Sequence, residues 1–144
     1  PLSPNIASKK DGIKIDLSAF KRFSKKKIFR KVIIEGAGGL NVPINDDQLI
    51  VDLAKMLGFP IILVCRTKIG TINHTLSSIE TIKKKKIKLF GLIFVGKSQP
   101  ETIETIKKFG KSIYGKEIKV LSQIPILKKI NKATINRLTD NILI

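Results

Sequence analysis

Glu35-Gly36-Ala37-Gly38-Gly39 joins a carboxylate to four residues with almost no side chain, directly after the β-branched run Val32-Ile33-Ile34. A carboxylate at a strand end can hold a hard cation such as Mg²⁺, directly or through water. The glycines that follow let backbone N–H groups approach an anion without interference from a Cβ. The same residues also suit a tight bend with a solvated glutamate, and spacing alone does not choose between the two. A second group, Lys68-Ile69-Gly70-Thr71-Ile72-Asn73-His74, runs into a helical pattern. Exposed N–H groups at a helix start, helped by the macrodipole, attract a carboxylate or phosphate, and Thr71 or Asn73 could add a side-chain donor. Taken alone, plain capping by Thr71, with His74 on the helix surface, is the simpler explanation of that stretch, because caps are nearly universal and ligand sites few.

Other matches carry less. Gly91-Leu-Ile-Phe-Val-Gly-Lys-Ser98 spells the phosphate-loop pattern G-x-x-x-x-G-K-[ST]. Its four variable positions, however, are the apolar residues of a strand, and Pro100 falls where a phosphate-loop helix should already be running. Gly110-Lys111-Ser112 lacks the upstream glycine. Cys65 closes an apolar run and reads as a packed, inert thiol. His74, the single histidine, has no second histidine or cysteine pair beside it and makes no convincing metal site, and no serine–histidine–acid set with sensible placement emerges. No catalytic residue is assigned within the 144 residues.

The elements that must position these groups follow from periodicity. Pro1 to Ile15 is turn-rich and reads as loop. Asp16 is placed to cap a short helix carrying Leu17, Phe20 and Phe23, and Val32–Ile34 reads as a strand. Residues 48–57 read as a helix stopped by Gly58, and Ile61–Val64 as a strand apolar on both faces. A helix over 71–84, a strand over 89–95, a helix over 101–110, a strand over 118–121 and a final helix within 131–144 complete the pattern. Strand and helix alternate with connections too long for hairpins. The reading is one α/β domain over residues 1–144: a parallel sheet with right-handed crossovers and helices on both faces. Ligands bind at the carboxyl ends of such strands. Glu35, Cys65-Arg66 and Val95-Gly96 lie at three of them.

Bulk properties narrow the class. The formal charge of +17 raises a nucleic-acid role, since basic patches neutralise phosphates. Yet only four of the 28 basic residues are arginine (Arg22, Arg30, Arg66, Arg137), and the chain has one tyrosine and no tryptophan. Bidentate recognition favours arginine and strand binding favours stacked aromatics, so the composition speaks against nucleic acid. No apolar run approaches the roughly 20 residues of a membrane span. The first ten residues lack the apolar core of a signal peptide. The expectation is a cytoplasmic protein without membrane contact.

Taken in order, Val32-Ile-Ile-Glu-Gly-Ala-Gly-Gly-Leu40, Val42-Pro43, Ile61-Ile-Leu-Val64 and Gly70-Thr-Ile-Asn-His-Thr-Leu76 resemble dethiobiotin synthetase. Leu2-Ser-Pro-Asn-Ile-Ala7 is similar to that family's Ser-Pro-His stretch, with Asn5 in the histidine's place. The resemblance implies a P-loop NTPase-like three-layer sandwich and a magnesium- and ATP-dependent cyclo-ligase of biotin biosynthesis. Its substrates would be 7,8-diaminononanoate, CO₂ and ATP. It further implies Glu35 as the Mg²⁺ ligand, and Glu35, Gly36, Ala37 and Gly38 beside the nucleotide's phosphates. Gly38, Gly39, Lys68, Ile69, Gly70, Thr71 and Asn73 would hold the diamino acid at a homodimer interface. The nucleotide base would lie against Val95, Gly96, Pro125, Ile126 and Leu127. Many members have asparagine where this chain has Val95, so base selectivity would rest on backbone groups of the other four. The family's phosphate loop, catalytic lysine and a further metal-binding aspartate match nothing in these residues. The resemblance therefore implies an N-terminally truncated domain that is inactive by itself. A related amidoligase or ParA-like ATPase of the same fold would need a different loop in place of Gly70–His74, and a basic nucleic-acid-binding protein is the other alternative.

Overall fold

The computed structural model describes residues 2–21 and 32–139. Phe23, Arg22, Arg30 and the last five residues lie outside them. Two compact units are formed, Pro1–Phe59 with Lys85–Ile87, and Pro60–Lys84 with Lys88–Ile144.

In the first unit, helix α1 (Pro4–Lys10) occupies a stretch expected to be loop. Pro4 stands at its first position, where the missing N–H costs nothing and the fixed φ favours a helix. The carbonyl of Ser3 accepts from Ile6 and Ala7 at 3.0 and 2.9 Å. Asp16 caps as expected, accepting from the Ser18 N–H at 2.8 Å, although the element it opens is one 3₁₀ turn, Leu17–Phe20. Helix α2 (Ile50–Leu57) ends at Gly58 with φ 73°, the left-handed cap its sequence predicts. The first-turn carboxylate of Asp52 accepts from the Leu49 N–H at 2.9 Å and pairs with Lys85 at 2.6 Å. The Lys85 ammonium, then the Leu49 amide, hold that carboxyl below its ordinary range. Leu17, Ile44, Ile50, Leu53 and Leu57 form the unit's core, with Ile15, Phe20, Val42 and Met56 packed against it.

One expectation fails here. Val32–Ile34 forms no strand, and Ile33 is 98% exposed. A β-branched run favours extended backbone but becomes a strand only by pairing, and among the described residues it has no ladder partner.

The second unit is the parallel α/β core. Strands β1 (Ile61–Arg66), β2 (Leu89–Val95) and β3 (Val120–Ile124) lie in the order β1-β2-β3, each pair parallel. They are joined by helices α3 (Thr71–Lys84) and α4 (Pro100–Tyr114). Helix α5 (Lys132–Thr139) follows. The last strand begins two residues later than its apolar run suggested, and α4 is longer at both ends. Thr75, Ile79 and Ile82 bury one face of α3, and Ile103, Ile106, Gly110 and Tyr114 one face of α4. A Cβ on Gly110 would lie 3.1 Å from Ile118 Cδ1 and 3.2 Å from Ile79 Cδ1, so this glycine serves close helix packing and no phosphate loop. Gly91 is likewise a packing residue: a Cβ there would sit 2.7 Å from Leu121 Cγ and 2.9 Å from the Lys119 carbonyl. Tyr114 ties the layers together, its hydroxyl accepting from the Leu89 N–H at 2.9 Å while Lys83 donates to its carbonyl at 2.9 Å.

Register sets what the strand ends present. Arg66 pairs with Val95 and Val95 with Ile124. All three strands therefore finish at one level, and the loops beyond them open on the same side.

Candidate functional site

At that level the second unit holds a crevice of about 400 Å³. From the β1 end come Arg66, Thr67 and Lys68; from the β2 end Val95, Gly96, Lys97 and Gln99; from the chain beyond β3, Ile126. Val95, Gly96 and Ile126 were expected around a nucleotide base, and the structure brings them together. Pro125 and Leu127 follow β3 but do not line the crevice. Lys68, expected at the diamino acid, lines it as well. Spacing had not singled out Thr67 or Gln99, and Lys97 had entered only through the discounted phosphate-loop match; the signal available was position, since the strand ends at Cys65-Arg66 and Val95-Gly96 were already marked as ligand-facing.

Three cations and no carboxylate line the crevice, and an anionic ligand fits such a lining. Two backbone bonds fix its floor, Thr67 N–H to the Val95 carbonyl at 3.0 Å and Gly96 N–H to the Ile124 carbonyl at 2.9 Å. Gly96 has φ 137°, and a Cβ on it would overlap the Thr67 hydroxyl. That hydroxyl is enclosed without a hydrogen-bond partner. A buried group of this kind calls for an explanation such as an ordered water.

The literal phosphate-loop match from Gly91 to Ser98 is resolved by the same geometry. Its variable positions are β2 itself, and the helix after it starts only at Pro100. Cys65 is buried on β1, and burial pushes its thiol up despite a hydrogen bond with Thr75. It is a packed thiol, as its sequence setting suggested.

The start of α3 departs from expectation by one residue. Thr71 is the first helical residue, not the cap, and Gly70 precedes it with φ 87°. The Gly70 carbonyl accepts from the His74 N–H at 3.0 Å, and the Lys68 carbonyl from Thr71 at 3.0 Å. Threonine would be strained at that φ, whereas glycine is not. No acidic residue stands in the first turn, so the N–H groups there carry uncompensated positive potential. Thr71 is half-buried and Asn73 and His74 are exposed. Ile69 is fully exposed and Ile72 partly so, at 105% and 38%.

Glu35, Gly36, Ala37, Gly38 and Gly39 belong to the first unit and are all exposed. Packing accounts for two of the glycines. A Cβ on Gly36 would lie 2.8 Å from Ile50 Cγ2, and Gly38, with φ 90°, has Val42 Cγ2 3.0 Å from the same construction. Gly39 has open space around it, and its carbonyl accepts from Val42 N–H at 3.1 Å. The loop is thereby seated against the start of α2, where Ile50 N–H donates to the Val42 carbonyl and Val51 N–H to that of Leu40, both at 2.9 Å. Glu35 is exposed at its head. Among the described residues no three His, Cys, Asp or Glu side chains gather as a metal site. A magnesium ion takes one or two carboxylates and fills its shell with water and phosphate oxygens. Glu35 suits a place in such a shell without completing it.

A β-α-β-α-β unit with a cationic crevice at its strand ends is a parallel α/β arrangement whose ligand position lies at the carboxyl ends of the strands. Residues 1–134 match the family described as AAA domain, and the chain belongs to that family. Within it, the chain is similar to ATP-dependent dethiobiotin synthetases. It is 36% identical over 135 residues to that of Paramagnetospirillum magneticum, covering 94% of this chain and 62% of the relative. To the Afipia carboxidovorans enzyme it is 44% identical over 110 residues, 76% of this chain and 51% of the relative. The Lawsonia intracellularis enzyme is 37% identical over 140 residues, 96% and 63%. The chain thus spans between about half and two-thirds of the length of these relatives. No helix among the described residues is long and apolar enough to cross a membrane.

Proposed function

We propose that this chain supplies the substrate- and base-binding part of an ATP-dependent cyclo-ligase that forms the ureido ring of dethiobiotin in biotin biosynthesis. The observation that carries the reading is the start of α3. It opens at the carboxyl end of β1 with Gly70 at positive φ, has no acid in its first turn, and carries Lys68 just before it. Such a helix start holds a carboxylate by its N–H groups.

In this reading Gly70, Thr71 and Asn73 bind the carboxylate of 7,8-diaminononanoate, with Lys68 adding charge. One amine takes up CO₂ as a carbamate. The carbamate oxygen attacks the γ-phosphorus of ATP, and ADP leaves. The second amine then attacks the carbamoyl carbon and expels phosphate, closing the ring. Bound Mg²⁺ would neutralise charge on the transferring phosphoryl group, with Glu35 holding it and the amides of Gly36, Ala37 and Gly38 facing the phosphates. Among the described residues no phosphate loop of working geometry is present, and the chain by itself is expected not to turn ATP over.

The exposed Ile69 and Ile72 flank the carboxylate site. Covering them with a second copy would bury apolar surface and close the site against water, which favours a homodimer with the substrate at its interface. The setting is the cytoplasm, where these small-molecule substrates are available, without membrane or nucleic acid.

Amide NMR on the ¹⁵N-labelled chain tests the carboxylate site. Millimolar 7,8-diaminononanoate is expected to shift Gly70, Thr71, Ile72 and Asn73, and the matching diamine without a carboxylate is expected to leave them in place. Equal shifts with both compounds, or none with either, would overturn the assignment.

A further inference from the structure

A nucleotide base offers hydrogen-bond donors and acceptors side by side along its edge, and a site that reads it needs a group that can do both. Val95, at the level of the base, has neither. The cations around it, Arg66, Lys68 and Lys97, only donate. Thr67 has a hydroxyl, but it is enclosed beside Gly96, away from a ligand's reach. Among the described residues lining the crevice, Gln99 alone carries a side-chain amide.

The backbone around Gln99 leaves that amide unused. Gln99 is the residue before Pro100, the first of α4, and its carbonyl accepts the Ile103 N–H at 3.0 Å. It therefore occupies the N-cap position, which Ser, Thr, Asp and Asn usually fill because their short side chains reach back to the helix amides. The longer glutamine makes no such bond here. Its backbone lies at φ −140° and ψ 68°, the exposed residue lines the crevice, and the helix obtains no cap bond from its side chain. A residue poorly suited to its local position and placed at a ligand crevice is where function outweighs local preference.

We propose that Gln99 is the base-reading residue of this crevice, taking over the role that Val95 cannot fill. Its Oε1 accepts from the exocyclic amino group of adenine and its Nε2–H donates to the neighbouring ring nitrogen. Val95 and Ile126 supply apolar contact to the ring. The proposal rests on the reading above, in which a nucleotide base lies against Val95, Gly96 and Ile126.

The test pairs a protein change with a ligand change in amide NMR titrations of the full 144-residue chain. ATP is compared with purine riboside triphosphate, which lacks the amino group, on the unmodified chain and on Gln99→Leu. A bidentate amide–adenine pair predicts that ATP binds the unmodified chain roughly tenfold more tightly than the analogue. Gln99→Leu is expected to weaken ATP by roughly the same factor and to bring the two nucleotides level. In the unmodified chain the side-chain NH₂ signals of Gln99 shift with ATP. If Gln99→Leu weakens both nucleotides equally, or neither, while Val95, Gly96 and Ile126 still shift, the role of Gln99 is refuted and the nucleotide site stands. If no crevice amide shifts with either nucleotide, the base-site reading fails and this proposal with it.

Discussion

Replacing Glu35 by glutamine lowers magnesium-dependent ATP turnover by about 100-fold or more, the scale on which losing one preorganised charge at a transferring group is felt. The measurement is made with this chain grafted in place of the matching 135 residues of the Paramagnetospirillum magneticum synthetase, which supplies the rest of the domain. Glutamine preserves the size and one acceptor oxygen of glutamate and removes only its charge. Mg²⁺ is a hard cation that gives up water reluctantly, so a neutral amide is a poor exchange for a carboxylate. The loop holding Glu35 is braced by the packing of Gly36 on Ile50 and Gly38 on Val42. Glu35 itself is exposed, so the variant should fold normally. The Mg²⁺ concentration for half-maximal rate should rise, and Glu35→Asp should recover part of the loss. A Glu35→Gln graft with a rate within threefold of its parent would remove Glu35 from the metal shell.

Gly96→Ala should cost roughly 2–3 kcal/mol of stability, the scale of a strained backbone position combined with overpacking. Two effects act together. The residue sits at φ 137°, where an L side chain is strained, and its new Cβ would overlap the Thr67 hydroxyl. Neither residue yields easily, because Thr67 is bonded to the Val95 carbonyl and Gly96 to that of Ile124. The same displacement opens the floor of the crevice, so ATP binding to the chain should weaken more than tenfold, an expectation built on the 1 Å scale of positioning effects. Urea midpoints and amide titrations measure the two consequences. Thr67→Ala, made in the Gly96→Ala background, should recover about half of the lost stability, since it removes the overlap and leaves the φ strain. Strict additivity of the two substitutions would show that the hydroxyl and the new methyl never meet.

Much of the fold could be read from local chemistry. Ile61–Val64 and Leu89–Val95 are apolar on consecutive residues, as parallel strands commonly are, although β1 lies at the edge of the described sheet and leaves Ile62 and Val64 exposed. Gly58 ends α2 in a left-handed cap that glycine adopts without strain. The failures share a cause: the deciding partner lay elsewhere in the chain. Pro4 stands in a stretch that reads as loop by composition, although at the first turn of a helix proline is favourable. Val32–Ile34 has the composition of a strand, but pairing, which sequence does not display, decides whether one forms. At Gly70 and Thr71 the choice of cap turned on a positive φ that no side-chain pattern records. Gln99 belongs to no chemical motif at all. It became visible only once β1 and β2 were aligned so that Arg66 and Val95 end together. Val95, Gly96 and Ile126, by contrast, were placed by resemblance, and the crevice gathers all three.

Ring closure itself is the most direct measurement. The grafted protein, given 7,8-diaminononanoate, ¹⁴C-bicarbonate and Mg·ATP, should release labelled dethiobiotin and ADP in equal amounts, and omission of the diamino acid should stop both. ADP release that continues without the diamino acid, or a folded graft that yields no labelled product, would contradict the assignment of this chain to ureido-ring synthesis.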